Sequence, residues 1–190
     1  MRGMIFRAFQ DFVDEEYSST VIDDALDLDD LKSSRGAYTS VGNYPSDEFI
    51  MIARYVSNKV GTPLDSLITN FGKSLFHVLA GAHPEMMAQF TNCFDLLESL
   101  ENVIHRNVRK LYDNTELPYF QVMNRDGNQL LVLRYNSSRP FADLAEGLIL
   151  GALQHYQLGD NLMVRRKDLS NDGKHAEFRI STNVLSDHHE

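Results

Sequence analysis

The spacing of apolar residues changes near the middle of the chain, and this change limits the folds that the chain can adopt. In the first half, apolar residues recur at helical spacing, as they do in residues 4–17. The apolar face of that segment consists of Ile5, Phe9, Phe12 and Val13. The second half instead contains four short β-rich runs, which are arranged in two pairs.

Each pair of β-rich runs reads as a hairpin. Runs 117–125 and 129–135 are joined by "RDGN", and runs 161–168 and 175–182 are joined by "SNDG". A helical segment, 141–156, separates the two hairpins. About five helices, a hairpin, a helix and a hairpin predict an α+β fold with an antiparallel sheet.

Charge and composition exclude several classes of partner. The 190 residues carry a formal net charge of -9, which does not attract nucleic acid or anionic lipid. No apolar run approaches the roughly 18 residues that cross a bilayer. Cys93 is the single cysteine, so no internal disulfide can form, and we expect a reducing cytoplasm.

Two motifs resemble known sites but lack essential residues. "FGKS" at 71–74 ends like a phosphate-binding loop, yet Leu67 stands where that loop needs a glycine. "DDALDLDD" has carboxylates near EF-hand spacing but lacks the central glycine and the terminal glutamate, so a solvated helix face is favoured. No acid/base pair suggests an enzyme site.

Three hydrogen-bond donors follow the second β-rich run. Tyr135, Ser137 and Arg139 stand at every second position, so in an extended chain they point to one side, about 6.5–7 Å apart. An edge strand that runs into a turn explains the same pattern without a ligand. The triad alone does not decide between these interpretations.

His105 lies on a predicted long helix, 93–112, which Thr91 or Asn92 can cap. It flanks an apolar stripe that consists of Leu97, Leu100, Ile104, Val108 and Leu111. A neutral imidazole at this place can bind iron, or it can simply bond to a backbone carbonyl. A haem needs one basic ligand, an apolar slot and cations or hydroxyls for its propionates. His105 and the triad together offer that combination.

The same residues resemble a known family. "VIHRNVRKLY…LP" followed by "YNSSR" is similar to the haem-nitric oxide/oxygen-binding domains, called H-NOX or HNOB. These include the haem domain of animal soluble guanylate cyclase and bacterial stand-alone sensors. Further similar stretches are "MRGMIF" at the start, "YTSVGNYP" at 38–45, "FGKSLF" at 71–76 and "AEGLILGALQHY" at 145–156. The resemblance covers essentially the whole chain.

The resemblance implies a single domain over residues 1–190 with haem between two subdomains. The helical subdomain would span about 1–62, and the haem-binding subdomain, with a four-stranded antiparallel sheet, about 63–185. Residues 186–190 would form a tail.

The resemblance also implies roles for single residues. His105 would be the proximal ligand of haem b, ferrous iron protoporphyrin IX. Its propionates would be bound by Tyr135, Ser137 and Arg139, and Pro118 would press on the porphyrin and distort it. The pocket on the other face of the haem, where the gas binds, would be lined by Ile5, Phe9, Leu144 and Leu148. The alternative for these apolar residues is an ordinary core.

Two departures from the family pattern are informative. Oxygen-binding members have a tyrosine at the position of Leu144, and a leucine donates no hydrogen bond, so nitric oxide is favoured over oxygen. Tyr17 and His77 are the alternative sources of a hydrogen-bond donor for oxygen. Some members bind zinc through cysteines near the C-terminus, but no cysteine follows Cys93 in this chain.

The expected function is therefore a sensor that is not an enzyme. Nitric oxide would bind ferrous haem, weaken the bond to His105 and release that histidine, and the signal would pass to a separate chain. The partner would be a histidine kinase or a cyclic di-GMP enzyme, and the sensor itself a monomer. The alternatives are a peroxidase-like or nitric oxide-consuming haem enzyme, an oxygen-binding member of the family, and a haem-free interaction module.

Overall fold

Helices fill the first half of the chain, and four strands lie in the second half. The computed structural model describes residues 1–111, 116–159 and 161–182. Its α-helices are α1 Gly3–Glu16, α2 Ser19–Leu26, α3 Ser46–Val60, α4 Leu64–Ala82, α5 Pro84–Met87, α6 Cys93–Glu98, α7 Arg106–Leu111 and α8 Ala142–His155, and a π-helical segment spans Leu100–His105. The strands are β1 Tyr119–Asp126, β2 Leu130–Asn136, β3 Leu162–Asp168 and β4 His175–Thr182.

The four strands form one antiparallel sheet in the order β1-β2-β4-β3. The two predicted hairpins are present, and they join through pairing of β2 with β4. Gly127 and Gly173 adopt left-handed φ values of 49° and 69° in the two turns, which favours glycine there. The α+β prediction is confirmed, and no helix among the described residues is long and apolar enough to span a membrane.

The apolar side chains are divided between two cores. The first core is built from α1 to α4 and the beginning of α8, and it is rich in aromatic rings: Phe6, Phe9, Phe12, Phe49, Phe71 and Phe141. The second core lies between the inner face of the sheet, α6 and α8. Along β2 the inner residues are Leu131, Leu133 and Tyr135, as period-two alternation requires.

Helices α4 and α8 approach each other closely because both carry glycines at the contact. A Cβ atom on Gly72 would lie 2.7 Å from the Leu144 carbonyl oxygen and 2.8 Å from the Gly147 Cα. A Cβ on Gly151 would lie 2.7 Å from the Cβ of Phe76. The glycine of "FGKS" is therefore a packing residue, which agrees with the rejection of a phosphate-binding loop.

The predicted helix 93–112 is not continuous. Asn92 caps its start by accepting a hydrogen bond from the Asp95 backbone N–H at 2.9 Å, as predicted. The Ser99 hydroxyl then donates to the Asp95 carbonyl at 2.7 Å, a bond that bends helices. The Ser99 carbonyl accepts from the Ile104 N–H at 3.3 Å, an i→i+5 bond, and the π-helical segment follows.

A buried carboxylate fixes the long connection between α2 and α3. Glu48 in the first turn of α3 is only 4% exposed. It accepts hydrogen bonds from the Ser33 N–H, the Ser34 hydroxyl and the Tyr38 hydroxyl at 2.7, 3.0 and 2.9 Å. Burial by itself raises the pKa of the Glu48 carboxyl, but these bonds outweigh burial and hold that pKa below its usual value.

The glycine contact predicts that Gly72→Ala destabilises the protein. The added methyl group meets backbone atoms of α8, which cannot rotate away, so the free energy of unfolding should fall by about 1–3 kcal/mol. Gly81→Ala is the matched control, since a Cβ at Gly81 in the same helix meets no atom within 4 Å. Its helix propensity should make it neutral or stabilising by up to about 1 kcal/mol. Urea denaturation measures both, and equal stability of the two variants would contradict the close contact.

The Glu48 network predicts a stability that depends on pH. Because the folded-state pKa is lowered, the ionised carboxylate stabilises the fold at neutral pH, and this contribution is lost as the pH falls through that pKa. Glu48→Gln should lower the free energy of unfolding by about 1–3 kcal/mol at pH 7. The difference from wild type should shrink below about pH 4. Urea denaturation at pH 7 and below pH 4 measures this difference in the free energy of unfolding. Glu15→Gln, at an exposed glutamate, is the control. A difference that grows in acid would refute the stabilising role of the ionised Glu48 carboxylate.

Candidate functional site

Phe120 connects the two predicted parts of the site. It lies on β1, and its ring centroid is 5.9 Å from that of His105 and 5.4 Å from that of Tyr135. Tyr135 is its partner in the register of β1 and β2. The structure therefore brings the histidine of the central helix and the tyrosine of the sheet to one place, although 30 residues separate them.

His105 presents a largely buried imidazole at the end of the π-helical segment. Its side chain is 12% exposed, and burial lowers the pKa of the imidazole. A hydrogen bond with Glu101 and the nearby Pro118 carbonyl oppose burial but do not cancel it. A lowered pKa favours the neutral ring, which has a nitrogen lone pair free to bind a metal.

The π-helical segment changes the face on which His105 lies. One extra residue in a turn rotates the following residues by about 100° around the helix axis. Leu100 and Ile104, which the regular helix places on the inner stripe, are only partly buried. The prediction of one regular helix along 93–112 is thus wrong at the π-helical segment, but Leu97, Leu100 and Ile104 of the predicted stripe all lie in or against the second core. Leu100 and Ile104 leave part of their apolar side chains exposed within the segment that ends at His105.

The triad lies together, but not for the reason that the sequence suggested. Strand β2 ends at Asn136, and the chain then bends, so that the Arg139 N–H donates to the Ser137 hydroxyl oxygen at 3.0 Å. The extended alternation is therefore wrong beyond β2. Ser137 and Arg139 nevertheless both lie close enough to the Tyr135 hydroxyl to lower its pKa, against the larger effect of burial, which raises it.

Two polar atoms of this triad are buried without a hydrogen-bond partner among the described residues. They are the Tyr135 hydroxyl and the Arg139 Nε. The Ser137 side chain and the Phe141 backbone lie near the hydroxyl, but neither forms a bond of good geometry with it. Arg139 donates from Nη2 to the Glu116 carbonyl, and its Nε lies 3.8 Å from the Glu116 carboxylate. Unpartnered buried donors are costly, so they indicate a site that binds an acceptor.

The apolar residues predicted for the other face belong to the first core. Phe9 is 1% exposed, and its ring packs edge-on against Phe49 and Phe71 at 5.1 and 5.0 Å. Leu144 is also buried, whereas Ile5 and Leu148 are partly exposed. They are thus placed in one apolar region, which fits both a pocket wall and an ordinary core.

The two alternative donors lie at separate places. The Tyr17 ring, at the end of α1, packs edge-on against Phe12 at 6.3 Å. His77 on α4 is exposed, and its ring centroid lies 6.4 Å from that of His155. Cys93 is fully buried, and burial raises the pKa of its thiol to about 12, which agrees with a small apolar role.

Sequence reasoning missed two residues of this site. Glu101 contacts His105 and Phe120 connects it to Tyr135. The spacing of Glu101, four residues before His105, is the signal that could have found it, because residues four apart are neighbours on a helix. Phe120 carried no signal, since an inward-facing aromatic residue on a strand is typical of any core.

Comparison with known proteins decides the family. The model of the haem-NO-binding family matches residues 2–162. The chain belongs to the haem-NO-binding family, H-NOX. This is a family of haem-binding gas sensors, and no curated protein matches the chain significantly.

Solved H-NOX structures share the fold over nearly the whole chain. The Fe(II) unliganded H-NOX protein from K. algicida is 28% identical with a TM-score of 0.88, and the match covers 96% of this chain and 97% of that chain. The S. oneidensis H-NOX protein in the Fe(II)NO ligation state is 27% identical with a TM-score of 0.81, covering 96% and 99%. The IWP-051-bound H-NOX from Shewanella woodyi in the Fe(II)CO state is 33% identical with a TM-score of 0.79, covering 96% and 94%.

The described residues fit a haem. A buried imidazole that favours the neutral form suits a single iron ligand. The unpartnered Tyr135 hydroxyl and Arg139 Nε suit carboxylate groups, which only accept hydrogen bonds. Leu100 and Ile104 are partly exposed, so they supply apolar surface on the segment that carries His105.

The unpartnered hydroxyl predicts opposite effects of Tyr135→Phe on the two forms of this H-NOX chain. Without haem, removal of an unsatisfied buried donor should leave the free energy of unfolding unchanged or raise it by up to about 1 kcal/mol. With haem, the loss of a bond to a charged group, worth about 1.5–3 kcal/mol, should speed haem transfer to excess apomyoglobin roughly 10- to 100-fold. Denaturation and transfer kinetics measure the two effects. If the hydroxyl served stability alone, Tyr135→Phe would lower the free energy of unfolding of the haem-free form and leave the rate of haem transfer unchanged.

Proposed function

We propose that this H-NOX chain is a sensor of nitric oxide that signals to a separate protein through release of His105. The observation that carries the proposal is the meeting, through Phe120, of a largely buried imidazole with the unpartnered Tyr135 hydroxyl, in a chain of a haem-binding family. The relative solved in the Fe(II)NO ligation state supports the choice of gas.

In this proposal each part of the site has one task. His105 is the iron ligand, and Tyr135, Ser137 and Arg139 bind the two propionates of haem b. Pro118, whose carbonyl lies close to the imidazole, presses on the porphyrin. When bound, ferrous haem would supply an iron atom that binds both His105 and the gas, and nitric oxide would weaken the bond to His105.

The apolar residues select the gas. Ile5, Phe9, Leu144 and Leu148 have hydrocarbon side chains, which donate no hydrogen bond. Bound oxygen carries partial negative charge and depends on a donor, whereas nitric oxide binds ferrous haem strongly without one. We therefore propose that these four residues line the gas-binding face and favour nitric oxide over oxygen.

Release of His105 would be transmitted through the elements that hold it. The histidine ends the π-helical segment, and α7 continues directly from it. The same segment contacts β1 through Phe120, and β1 leads to the sheet. A gas can shift this equilibrium only by binding the two states with different affinity, and loss of the histidine bond supplies that difference.

A haem enzyme is the less favoured function. Peroxidase-like or nitric oxide-consuming chemistry requires a histidine, an arginine or a carboxylate on the gas-binding face, and the four residues proposed for that face are apolar. From the family resemblance we propose that the sensor acts on a histidine kinase or a cyclic di-GMP enzyme. It would act as a cytoplasmic monomer whose helical subdomain spans about 1–62 and whose haem-binding subdomain spans about 63–185.

The decisive experiment is absorption spectroscopy of the reduced protein. Wild type should show a Soret band that nitric oxide shifts, and it should form no stable complex with oxygen. Leu144→Tyr introduces a donor at the oxygen-binding position, so oxygen should dissociate more slowly, about tenfold for a bond of about 1.4 kcal/mol. A stable oxygen complex of wild type would contradict the assignment of Leu144.

The ligand assignment has its own control. His105→Gly should lose haem unless imidazole is added to replace the missing ring. His77→Gly removes an exposed histidine of α4 and should retain haem. Tight haem binding by His105→Gly in buffer without imidazole would show that another residue ligates the iron.

A further inference from the structure

Glu101 forms a hydrogen bond with the proposed iron ligand. Its Oε2 lies 3.1 Å from the Nδ1 of His105, and the two side chains are 18% and 12% exposed. A carboxylate oxygen accepts hydrogen bonds, so Nδ1 is placed to donate to it, and Nε2 is left as the ring nitrogen that can bind a metal.

Other elements hold the carboxylate in place. Arg109 on α7 donates from Nη2 to Oε1 of Glu101 at 2.6 Å. The backbone N–H of Phe120 on β1 donates to Oε2 at 3.4 Å. Glu101 is therefore fixed by groups from three elements, namely its own π-helical segment, the following helix and the first strand. The Arg109 side chain is 45% exposed, so the carboxylate is held most firmly by its bonds to His105 and the Phe120 N–H, on its less exposed side.

We infer that Glu101 is the positioning residue of the haem ligand: it fixes the tautomer and the orientation of His105 so that Nε2 is directed to the iron. The inference rests on the proposed function, because it assumes that His105 ligates haem. Arg109 and the Phe120 N–H hold the carboxylate, and they thereby connect the ligand to α7 and to the sheet.

A carboxylate on the far nitrogen strengthens a histidine ligand. Metal-bound histidines that donate to a carboxylate are better oriented and more basic, and loss of the partner costs about 10- to 100-fold in metal affinity. For a sensor that signals by releasing its histidine, this bond has a second consequence. The stronger ligand resists release, so Glu101 sets how much the gas must weaken the iron–histidine bond before the signal occurs.

The test compares Glu101→Gln and Glu101→Leu with wild type in the haem-loaded protein. Resonance Raman spectroscopy of the ferrous, unliganded form should show a lower iron–histidine stretching frequency in both variants. Haem transfer to excess apomyoglobin should become about 10- to 100-fold faster for Glu101→Leu. Glu101→Gln should show a smaller change, because its amide oxygen still accepts a bond but carries no charge.

A matched control and a second readout separate positioning from stability. Glu98→Gln alters a carboxylate of α6 that binds Arg125 and is 47% exposed, and it should leave the stretching frequency and haem transfer unchanged. In the haem-free chain, ¹⁵N NMR should show the Nδ1–H tautomer of His105 in wild type and a mixture of tautomers in Glu101→Gln. If Glu101→Leu does not fold, Glu101→Gln and Arg109→Met are compared with wild type instead. Both should show a lower iron–histidine stretching frequency.

The outcomes distinguish this inference from the proposed function. A wild-type protein that binds no haem overturns the proposed function and the ligand role of His105 together. A wild-type protein that binds haem, with the same stretching frequency in Glu101→Gln and Arg109→Met as in wild type, overturns the role of Glu101 alone. A lowered frequency in these variants with an unchanged Glu98→Gln supports it.

Discussion

The close contact of α4 with α8 is the constraint on which the rest of the structure depends. Three glycines, Gly72, Gly147 and Gly151, let two helix backbones meet where a single methyl group would clash with backbone atoms or a neighbouring Cβ. Helix α8 also joins the two hairpins and begins directly after the triad. One side of α8, with Leu144 and Leu148, packs with the helical core, while Ala145, Ile149 and Ala152 pack with the sheet. The glycine contact therefore holds close to α4 the helix that lies against both cores.

The site retains polar groups that a core built only for stability would avoid. The Tyr135 hydroxyl and the Arg139 Nε are buried without a partner among the described residues, and each has a desolvation cost. Natural proteins depart from complete hydrogen bonding mainly where function requires it. Glu48 is the contrasting case, because its buried carboxylate accepts three hydrogen bonds and serves the fold. The Glu48 carboxylate is therefore satisfied within the fold, whereas the Tyr135 hydroxyl is not.

The π-helical segment connects the geometry of the site with its proposed signal. Segments of this kind are rare, and they occur mostly at functional sites. Here the irregular turns end at His105, and Glu101 within them contacts α7 and β1. One extra residue in a turn rotates the residues that follow by about 100° relative to a regular α-helix. The irregularity thus sets the direction in which His105 leaves the helix.

The sequence by itself determined the secondary structure, the α+β class and the identity of most candidate residues. Helical periodicity around Phe9 and the turn residues at "RDGN" and "SNDG" are local signals, and local signals can be read without a fold. The same holds for the spacing of His105 and the triad, which carried the family resemblance. The break at Ser99 and the bend after Asn136 accompany local side-chain hydrogen bonds, which compete with regular helix and strand and which the periodic pattern did not show. Only the tertiary structure decided that Phe120 joins His105 to Tyr135, because packing brings together segments that lie far apart in sequence.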